Sequence, residues 1–214
     1  NVPDEQYEDT KYYFLTLAKK ITKGLNIIGY EFCPADMMGS NPKWCDSLAG
    51  FQKMTTKWIS NPGPDEVLLS SIFFDYAIAF GDVTLAKDLS KSILEKIEKH
   101  PIFLSHLASN ALMSPSPTGF FRQFLVEQDG EHKDSFDLKK RALMPLVDAA
   151  RVLSLSHNIT GISNTWERFE KLAELEPNNK ELFLSCGFAT KALLKFRTKQ
   201  GLTQQDSGRY ISLD

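Results

Sequence analysis

Five basic side chains stand inside otherwise apolar helical patterns, and their types and positions are the strongest chemical signal in this sequence. They are Arg122, Lys139, Arg151, Arg168 and Arg197. A half-buried arginine needs an anion or a carboxylate beside it, because its charge and its fork of N–H donors are costly to leave unpaired. Two explanations fit: ion pairs within the chain, or a cleft that receives a phosphate or an acidic partner. The carboxylates available for internal pairing are Asp75, Asp82, Asp137 and Asp148.

Metal-assisted phosphoryl or nucleotidyl transfer requires carboxylates that converge on divalent ions, commonly an Asp-x-Asp pair on a strand after a Gly-Ser turn. Here Gly39-Ser40 is followed by Asp46-Ser47-Leu48, which is not that pair. Asp129-Gly130-Glu131 has the spacing but lies in a polar turn that would not hold the side chains. The histidines and cysteines are scattered, without the spacing of a metal site or a disulfide framework. The sequence therefore predicts no catalytic residue and no metal site in this chain.

The amino-acid composition argues against two further classes, nucleic-acid-binding proteins and membrane-spanning proteins. The 214 residues include 25 Lys and Arg against 27 Asp and Glu, which gives a formal net charge of -2. A dedicated nucleic-acid-binding protein needs a basic excess to neutralise phosphates, so we expect no nucleic-acid partner. The longest apolar runs are too short for a membrane span, and the polar N-terminus lacks a signal-peptide layout. We therefore expect a cytoplasmic globular protein.

The first 63 residues combine helical and strand-like patterns. Apolar spacing predicts an amphipathic helix over Glu8–Leu25, and the short β-favouring run Ile27–Cys33 predicts a strand. Pro34–Pro42 has the composition of a loop, and helical spacing returns over Asp46–Ile59. The clearest break follows, at Asn61-Pro62-Gly63-Pro64.

From residue 64 onward the pattern is helical throughout. Val67–Phe80 is apolar on both faces; periodicity alone does not separate a buried helix from a buried strand here, and we favour the helix. Proline, asparagine and aspartate then mark successive helix starts. The predicted helices run from Asp82 to His100, from Pro101 to Pro115, onward from Pro117, from Asp137 to His157, from Asn164 or Thr165 to Leu175, and from Asn178 or Asn179 to Gln200. Short polar links between them indicate an antiparallel bundle.

One segment resembles the signature of a known protein family. The run from Cys33 to Trp44, with Met37-Met38 and Asn41 inside it, resembles a motif of bacterial nucleotidyltransferases. In these proteins a cyclic-nucleotide-binding or CBS-pair sensor is joined to a transferase similar to PII-protein uridylyltransferase. Further segments match the family in order: Ser71–Asp75 with Gly81-Asp82, Pro117–Arg122, Asp137–Lys139, Pro145–Arg151, Thr165–Arg168 and Phe196–Gln200. The chain departs from the family pattern at Ala35, Ala77 and Ser116–Gly119.

The resemblance implies a mainly α fold: an antiparallel helical bundle preceded by a small α/β remnant of a nucleotidyltransferase domain. It assigns residues 1–63 to that remnant and residues 64–214 to a helical substrate-binding domain. The family's Gly-Ser and Asp-x-Asp motif would precede Glu8, so both ends look cut from a longer polypeptide. The intact protein would transfer a nucleotidyl group from a nucleoside triphosphate, with magnesium, to a protein or small-molecule acceptor. The chain itself would carry no cofactor and no transferase activity.

The resemblance also implies roles for particular side chains. Arg122, Lys139 and Arg151 would position acceptor or phosphates, while Asp75 and Asp148 would hold those cations in place. Three further residues complete the predicted substrate-binding set: Asn41, Trp44 and Arg168. The alternative is a non-catalytic helical module that binds a partner protein or relays a sensor signal. That module would expose an apolar groove and have no affinity for nucleotides.

Overall fold

The computed structural model describes residues 6–121 and 123–213 of the chain. Eight α-helices and one two-stranded sheet make up the regular structure of these residues. They are α1 (Tyr7–Ile27), α2 (Leu48–Ser60), α3 (Pro64–Phe73), α4 (Val83–Lys99), α5 (Ile102–Leu112), β1 (Ser135–Asp137), α6 (Met144–Ser156), α7 (Thr165–Leu175), α8 (Lys180–Gln204) and β2 (Tyr210–Ser212). The mainly α fold class is confirmed. None of the described helices is long and apolar enough to cross a membrane.

The chain divides into two compact units, Asn1–Met54 and Thr55–Asp214, and the division falls inside α2. The boundary predicted after residue 63 remains a prediction. In the first unit, α1 buries none of its side chains. The Tyr7 hydroxyl donates a 2.7 Å hydrogen bond to Asp46 Oδ1.

The strand predicted over Ile27–Cys33 is wrong. Helix α1 continues to Ile27, and Gly29 then adopts a left-handed φ of 105° that ends the regular structure. Ile28, Tyr30 and Phe32 are all exposed, and no strand occurs among residues 6–54 to pair with this segment. Without a partner strand this β-favouring run forms no ladder hydrogen bonds, so the predicted α/β remnant contains only helices and loops in its described part.

The second unit is built on consecutive helix packing, in which α5 lies on α6, α6 on α7 and α7 on α8. The short 3₁₀ turn Pro177–Asn179 joins α7 to α8, and the two helices form an antiparallel hairpin. The core between α6, α7 and α8 consists of Ala150, Phe169, Leu172, Ala173 and Phe183. Amphipathic spacing explains why α7 matches its predicted helix closely, whereas α8 matches although its apolar residues are not confined to one face.

Three other expectations in this unit are corrected. Helix α3 ends at Phe73, so the predicted Val67–Phe80 helix is seven residues too long. No helix occurs between Pro117 and β1 in the described residues 117–121 and 123–134: an isolated antiparallel bridge joins Thr118 to Phe124, and Gly130 takes a left-handed φ of 77°. The predicted Asp137–His157 helix begins instead with β1 and a π-helical turn, Lys139–Leu143, because pairing of β1 with β2 removes Asp137 from the helix.

Candidate functional site

The centre of the candidate site is the carboxylate of Asp75, which lies just after α3 and binds two arginines. Arg151 donates to Oδ2 from Nε at 2.9 Å and from Nη2 at 2.8 Å. Arg168 donates to Oδ1 from Nη2 at 2.5 Å. Both oxygens are therefore occupied by guanidinium donors, the strong charge-assisted form of hydrogen bond. One acid thereby links three parts of the unit: the end of α3, α6 and α7.

Helix α7 fixes the position of Arg168. Its N-cap residue, Asn164, accepts from the backbone N–H of Trp166 at 3.1 Å and of Glu167 at 3.3 Å. An asparagine in this position satisfies donors that the first turn leaves free. Arg168 sits in that first turn, and its Nε donates to the Ile162 carbonyl at 2.6 Å. The guanidinium is thus held from two sides, by Ile162 and by Asp75.

Asp148 lies one helical turn before Arg151 on α6, so the two side chains share a face. The contact between them is long, 3.4 Å from Arg151 Nη1 to Asp148 Oδ1. Burial raises the pKa of the Asp148 carboxyl, and the nearby Arg151 charge and hydrogen bond only partly oppose this. Asp148 is therefore an acid with a weak partner, whereas Asp75 is fully engaged.

Asp148, Arg151 and Arg168 line a cavity of about 50 Å³ between α3, α5, α6 and α7. Two buried polar atoms there have no hydrogen-bond partner: Ser154 Oγ and Arg168 Nη1. The two residues are 3% and 7% exposed, respectively. Asn110, on α5, also lines the cavity, and its side-chain amide makes no hydrogen bond to the described residues. Buried polar groups are normally paired, so this cavity has unused binding capacity.

A second, larger cleft adjoins the cavity. It encloses about 1060 Å³ between α4 and the segment after α6, residues 156–163. Lys87 and Lys91 line it from α4, and the shared wall residues Phe74, Leu155, Ile159 and Arg168 border both spaces. A cleft of this size is in the range that takes a small organic ligand.

The structure brings together Asp75, Asp148, Arg151 and Arg168 of the predicted set. Internal ion pairing is confirmed for Arg151 and Arg168. The other two candidate acids act elsewhere. Asp82 caps α4 by accepting from the Thr84 N–H, and Asp137 pairs with Arg209 at 2.7 Å. Arg197 donates to the Ser207 carbonyl.

The remaining predicted residues lie outside this cluster. Lys139 is exposed at the start of the π-helical turn. Asn41 belongs to the first unit, where its side chain accepts from the Lys43 N–H and donates to Asp36 Oδ2 at 2.9 Å. The Lys43 ammonium lies over the Trp44 ring, 4.9 Å from its centroid. Arg122 falls outside the described residues.

Sequence reasoning missed Ser154 and Asn110. For Ser154 a signal existed: it follows Asp148 and Arg151 at intervals of three residues on one helix, so the three share a face. It is also the polar residue between Leu153 and Leu155. For Asn110 no local pattern points to the cavity, because α5 enters it only through packing on α6.

A magnesium site requires oxygen ligands, above all carboxylates, that converge on the ion. Across 6–121 and 123–213, no group of three or more His, Cys, Asp or Glu side chains is arranged to hold a metal ion. The acids of the candidate site are instead engaged with arginines. The described site accordingly offers no ligand set for the magnesium that the resemblance implies for the intact protein.

Comparison with known proteins gives two family matches. The family described as "Putative nucleotidyltransferase substrate binding domain" matches residues 101–214, more than half of the chain. The family described as "Putative nucleotidyltransferase DUF294" matches residues 2–65. No curated protein and no solved structure matches the chain. Residues 101–214 include α6 and α7, and with them Asp148, Arg151 and Arg168. The chain therefore belongs to this nucleotidyltransferase family and carries its substrate-binding domain.

Proposed function

We propose that the Thr55–Asp214 unit binds a substrate of nucleotidyl transfer in the cleft beside α4. The reaction served is transfer from a nucleoside triphosphate to a protein or small-molecule acceptor. The observation that carries this proposal is Arg168, a buried guanidinium that borders the cleft, is fixed by Asp75 and Ile162, and keeps one N–H group unused. A donor held in place before the ligand arrives binds an anionic oxygen without paying for its own ordering.

The charges and walls of the cleft support this proposal. Lys87, Lys91 and Arg168 supply three cations, and Glu95 and Glu98 supply two carboxylates. The Lys91–Glu95 pair is 4.0 Å apart and exposed, so a ligand phosphate can displace it at little cost. Apolar side chains such as Ile78 and Leu94 line the same space and suit the less polar part of a ligand.

In this proposal the unit binds and orients, and it does not carry out the chemical step. The sequence contains no Gly-Ser turn followed by Asp-x-Asp, and the described acids form no metal site. Holding a reactant in position can contribute much to a rate, but only where the reacting groups are also present. The chain by itself should therefore transfer no labelled nucleotide to any acceptor when supplied with magnesium and a nucleoside triphosphate.

Isothermal titration of the 214-residue chain with ATP, GTP, CTP and UTP, one at a time, tests the binding function. We expect at least one to bind, and the double variant Lys87→Glu, Lys91→Glu to weaken that binding by about tenfold or more. The matched control is Lys195→Glu, because Lys195 is exposed on α8 and does not line the cleft. Absence of binding by all four, or equal loss in the control, would contradict the proposal.

The finer parts of the proposal rest on the sequence resemblance. We propose a uridylyltransferase-like activity in a bacterial cytoplasmic protein, under the control of a cyclic-nucleotide-binding or CBS-type sensor domain. Preference for UTP over the other three triphosphates in the same titration would support the first part. Binding of all four with equal affinity would count against it.

A second function, a protein-interaction or signal-relay module, is favoured by one observation. Phe120 and Phe121 are 93% and 83% exposed, and their rings meet edge to face at 5.2 Å. Exposed aromatic pairs of this kind are typical of protein-binding surfaces. This function predicts no affinity for any of the four triphosphates, so the titration separates the two.

A further inference from the structure

The small cavity contains more hydrogen-bonding capacity than the chain itself uses. Arg168 uses Nε on the Ile162 carbonyl and Nη2 on Asp75, which leaves Nη1 without an acceptor. Ser154 Oγ is equally unpartnered, and the Asn110 amide adds a donor on the α5 side. We infer that this cavity is a binding site for an oxyanion, the carboxylate or phosphate group of a small molecule. Arg168 Nη1, Ser154 Oγ and the Asn110 amide would be its donors.

The charges around the cavity favour an anion over a cation. Arg151 and Arg168 both pair with the carboxylate of Asp75, and Arg151 also makes a longer contact of 3.4 Å with Asp148. Among the described lining residues Asp148 is the one acid, and burial raises the pKa of its carboxyl. The cavity wall therefore carries the guanidinium groups of Arg151 and Arg168 and one acid, Asp148, while the Asp75 carboxylate is already engaged by both arginines. An incoming anion is thus attracted by two guanidinium groups and opposed by one acid on the wall, and these interactions are stronger at low dielectric.

The shape of the cavity limits what can enter. A space of about 50 Å³ accommodates an acid group or a few water molecules, and it is too small for a whole nucleotide. Leu107, Val152 and Leu155 form apolar walls, which lower the local dielectric and so strengthen each hydrogen bond inside. Because Arg168 borders both spaces, a ligand can place its acid group here and its body in the cleft. This inference rests on the proposed function and names the substrate class as molecules with a terminal carboxylate or phosphate.

Titration of the 214-residue chain with inorganic phosphate and, separately, with acetate tests the inference, with calorimetry and thermal unfolding as readouts at constant ionic strength. We expect saturable binding of at least one anion, and the one that binds identifies the acid group. Ser154→Ala should weaken binding about fivefold, since it deletes one neutral hydrogen bond. Its fold should be unaffected, because the hydroxyl has no partner to lose. Ser105→Ala, at an exposed position on α5, is the matched control and should bind like the wild type.

The variant Asp148→Asn should change anion affinity in the direction opposite to Ser154→Ala. Removing the acid that faces the anion should tighten phosphate or acetate binding by about fivefold, whereas a site for a cation would lose affinity. Weaker binding in this variant would overturn the inference. So would unchanged binding in Ser154→Ala, or no saturable binding at all, since water would then be the occupant of the cavity.

Competition with the nucleoside triphosphates separates this inference from the proposed function. If phosphate or acetate binds through Ser154 but no triphosphate binds, the anion site stands and the nucleotide-binding function fails. If a triphosphate binds, is not displaced by either anion and is insensitive to Ser154→Ala, the function stands and the anion site fails. Displacement of the triphosphate by the anion supports both.

Discussion

Arg168 and Asp75 are separated by 93 residues in the chain, yet Arg168 Nη2 donates to Asp75 Oδ1 at 2.5 Å. The other oxygen of the same carboxylate binds Arg151, from 76 residues away. A single acid therefore connects the end of α3 to α6 and α7. Arg168 Nη1 is left buried and without a hydrogen-bond partner. Stability and binding thus depend on the same carboxylate.

Asp75→Asn should lower the free energy of unfolding by about 2 to 3 kcal/mol, because the buried Arg168 and the half-buried Arg151 lose their shared anion. Urea unfolding at neutral pH measures this change. The matched control is Asp88→Asn, an exposed acid on α4, which should change stability by less than about 0.5 kcal/mol. Equal stability of the two variants would show that the arginines find other partners.

Asp148→Asn should stabilise the protein near neutral pH. Burial raises the pKa of the Asp148 carboxyl in the folded state, so the folded protein binds its proton more tightly than the unfolded chain. The wild type therefore loses stability as the pH rises from the usual aspartate pKa to the raised one. The asparagine variant lacks this loss. Its excess stability over the wild type should therefore grow as the pH rises between the two pKa values and then level off. Urea unfolding at a series of pH values tests this; an advantage that shrinks as the pH rises would contradict it.

Asp137→Asn should destabilise the protein near neutral pH, the opposite of the effect expected for Asp148→Asn. Burial alone would raise the pKa of the Asp137 carboxyl, but hydrogen bonds from Arg209 and from the Lys140 N–H outweigh it and lower the pKa. The stabilisation is present above the usual aspartate pKa and is lost as the pH falls through the lowered one. We expect the variant to be less stable by about 2 to 4 kcal/mol at neutral pH, and by less in acid. A deficit that stays constant down to low pH would count against the Arg209 pair as its cause.

Asn164→Ala should cost about 1 kcal/mol, because two backbone N–H groups at the start of α7 lose their acceptor. Since Arg168 lies in that first turn, anion binding should weaken as well. Asn164→Asp is the matched control: its carboxylate caps the helix and should keep both stability and binding. Urea unfolding and phosphate titration of the two variants provide the comparison. If Asn164→Asp binds as weakly as Asn164→Ala, the cap is not what positions Arg168.

Gly208→Ala should destabilise the protein strongly. Gly208 has a left-handed φ of 61°, and an added Cβ would overlap the backbone carbonyl of Arg197. Gly130→Ala is the control, since Gly130 has a φ of 77° but no atom near the added Cβ. The control should show only the left-handed backbone cost of about 1 to 2 kcal/mol, and Gly208→Ala more than that. Thermal unfolding of both variants measures the difference. Equal melting temperatures would show that the backbone at the end of α8 shifts enough to accommodate the added methyl group.

Local sequence signals were sufficient for several helices and insufficient for the strands. Asp82 and Asn164 cap α4 and α7 as the sequence predicts, because a cap depends on residues two or three positions away. The strand predicted over Ile27–Cys33 is wrong, and Asp137, the first residue of the predicted Asp137–His157 helix, is the last residue of β1. A strand depends on a partner that can lie anywhere in the chain: Phe136 pairs with Ile211.

The sequence by itself determined the helical class, the family resemblance and the chemical types at the site: acids and arginines that required one another. Which acid met which arginine was decided by the tertiary structure, since Asp75 reaches Arg151 and Arg168 only when α6 and α7 pack. The cavity, and the two polar atoms left unpaired in it, likewise exist only after packing. The physical reason is range: helix periodicity and capping act within about one turn, whereas ion pairs and cavities join residues that are distant in the chain.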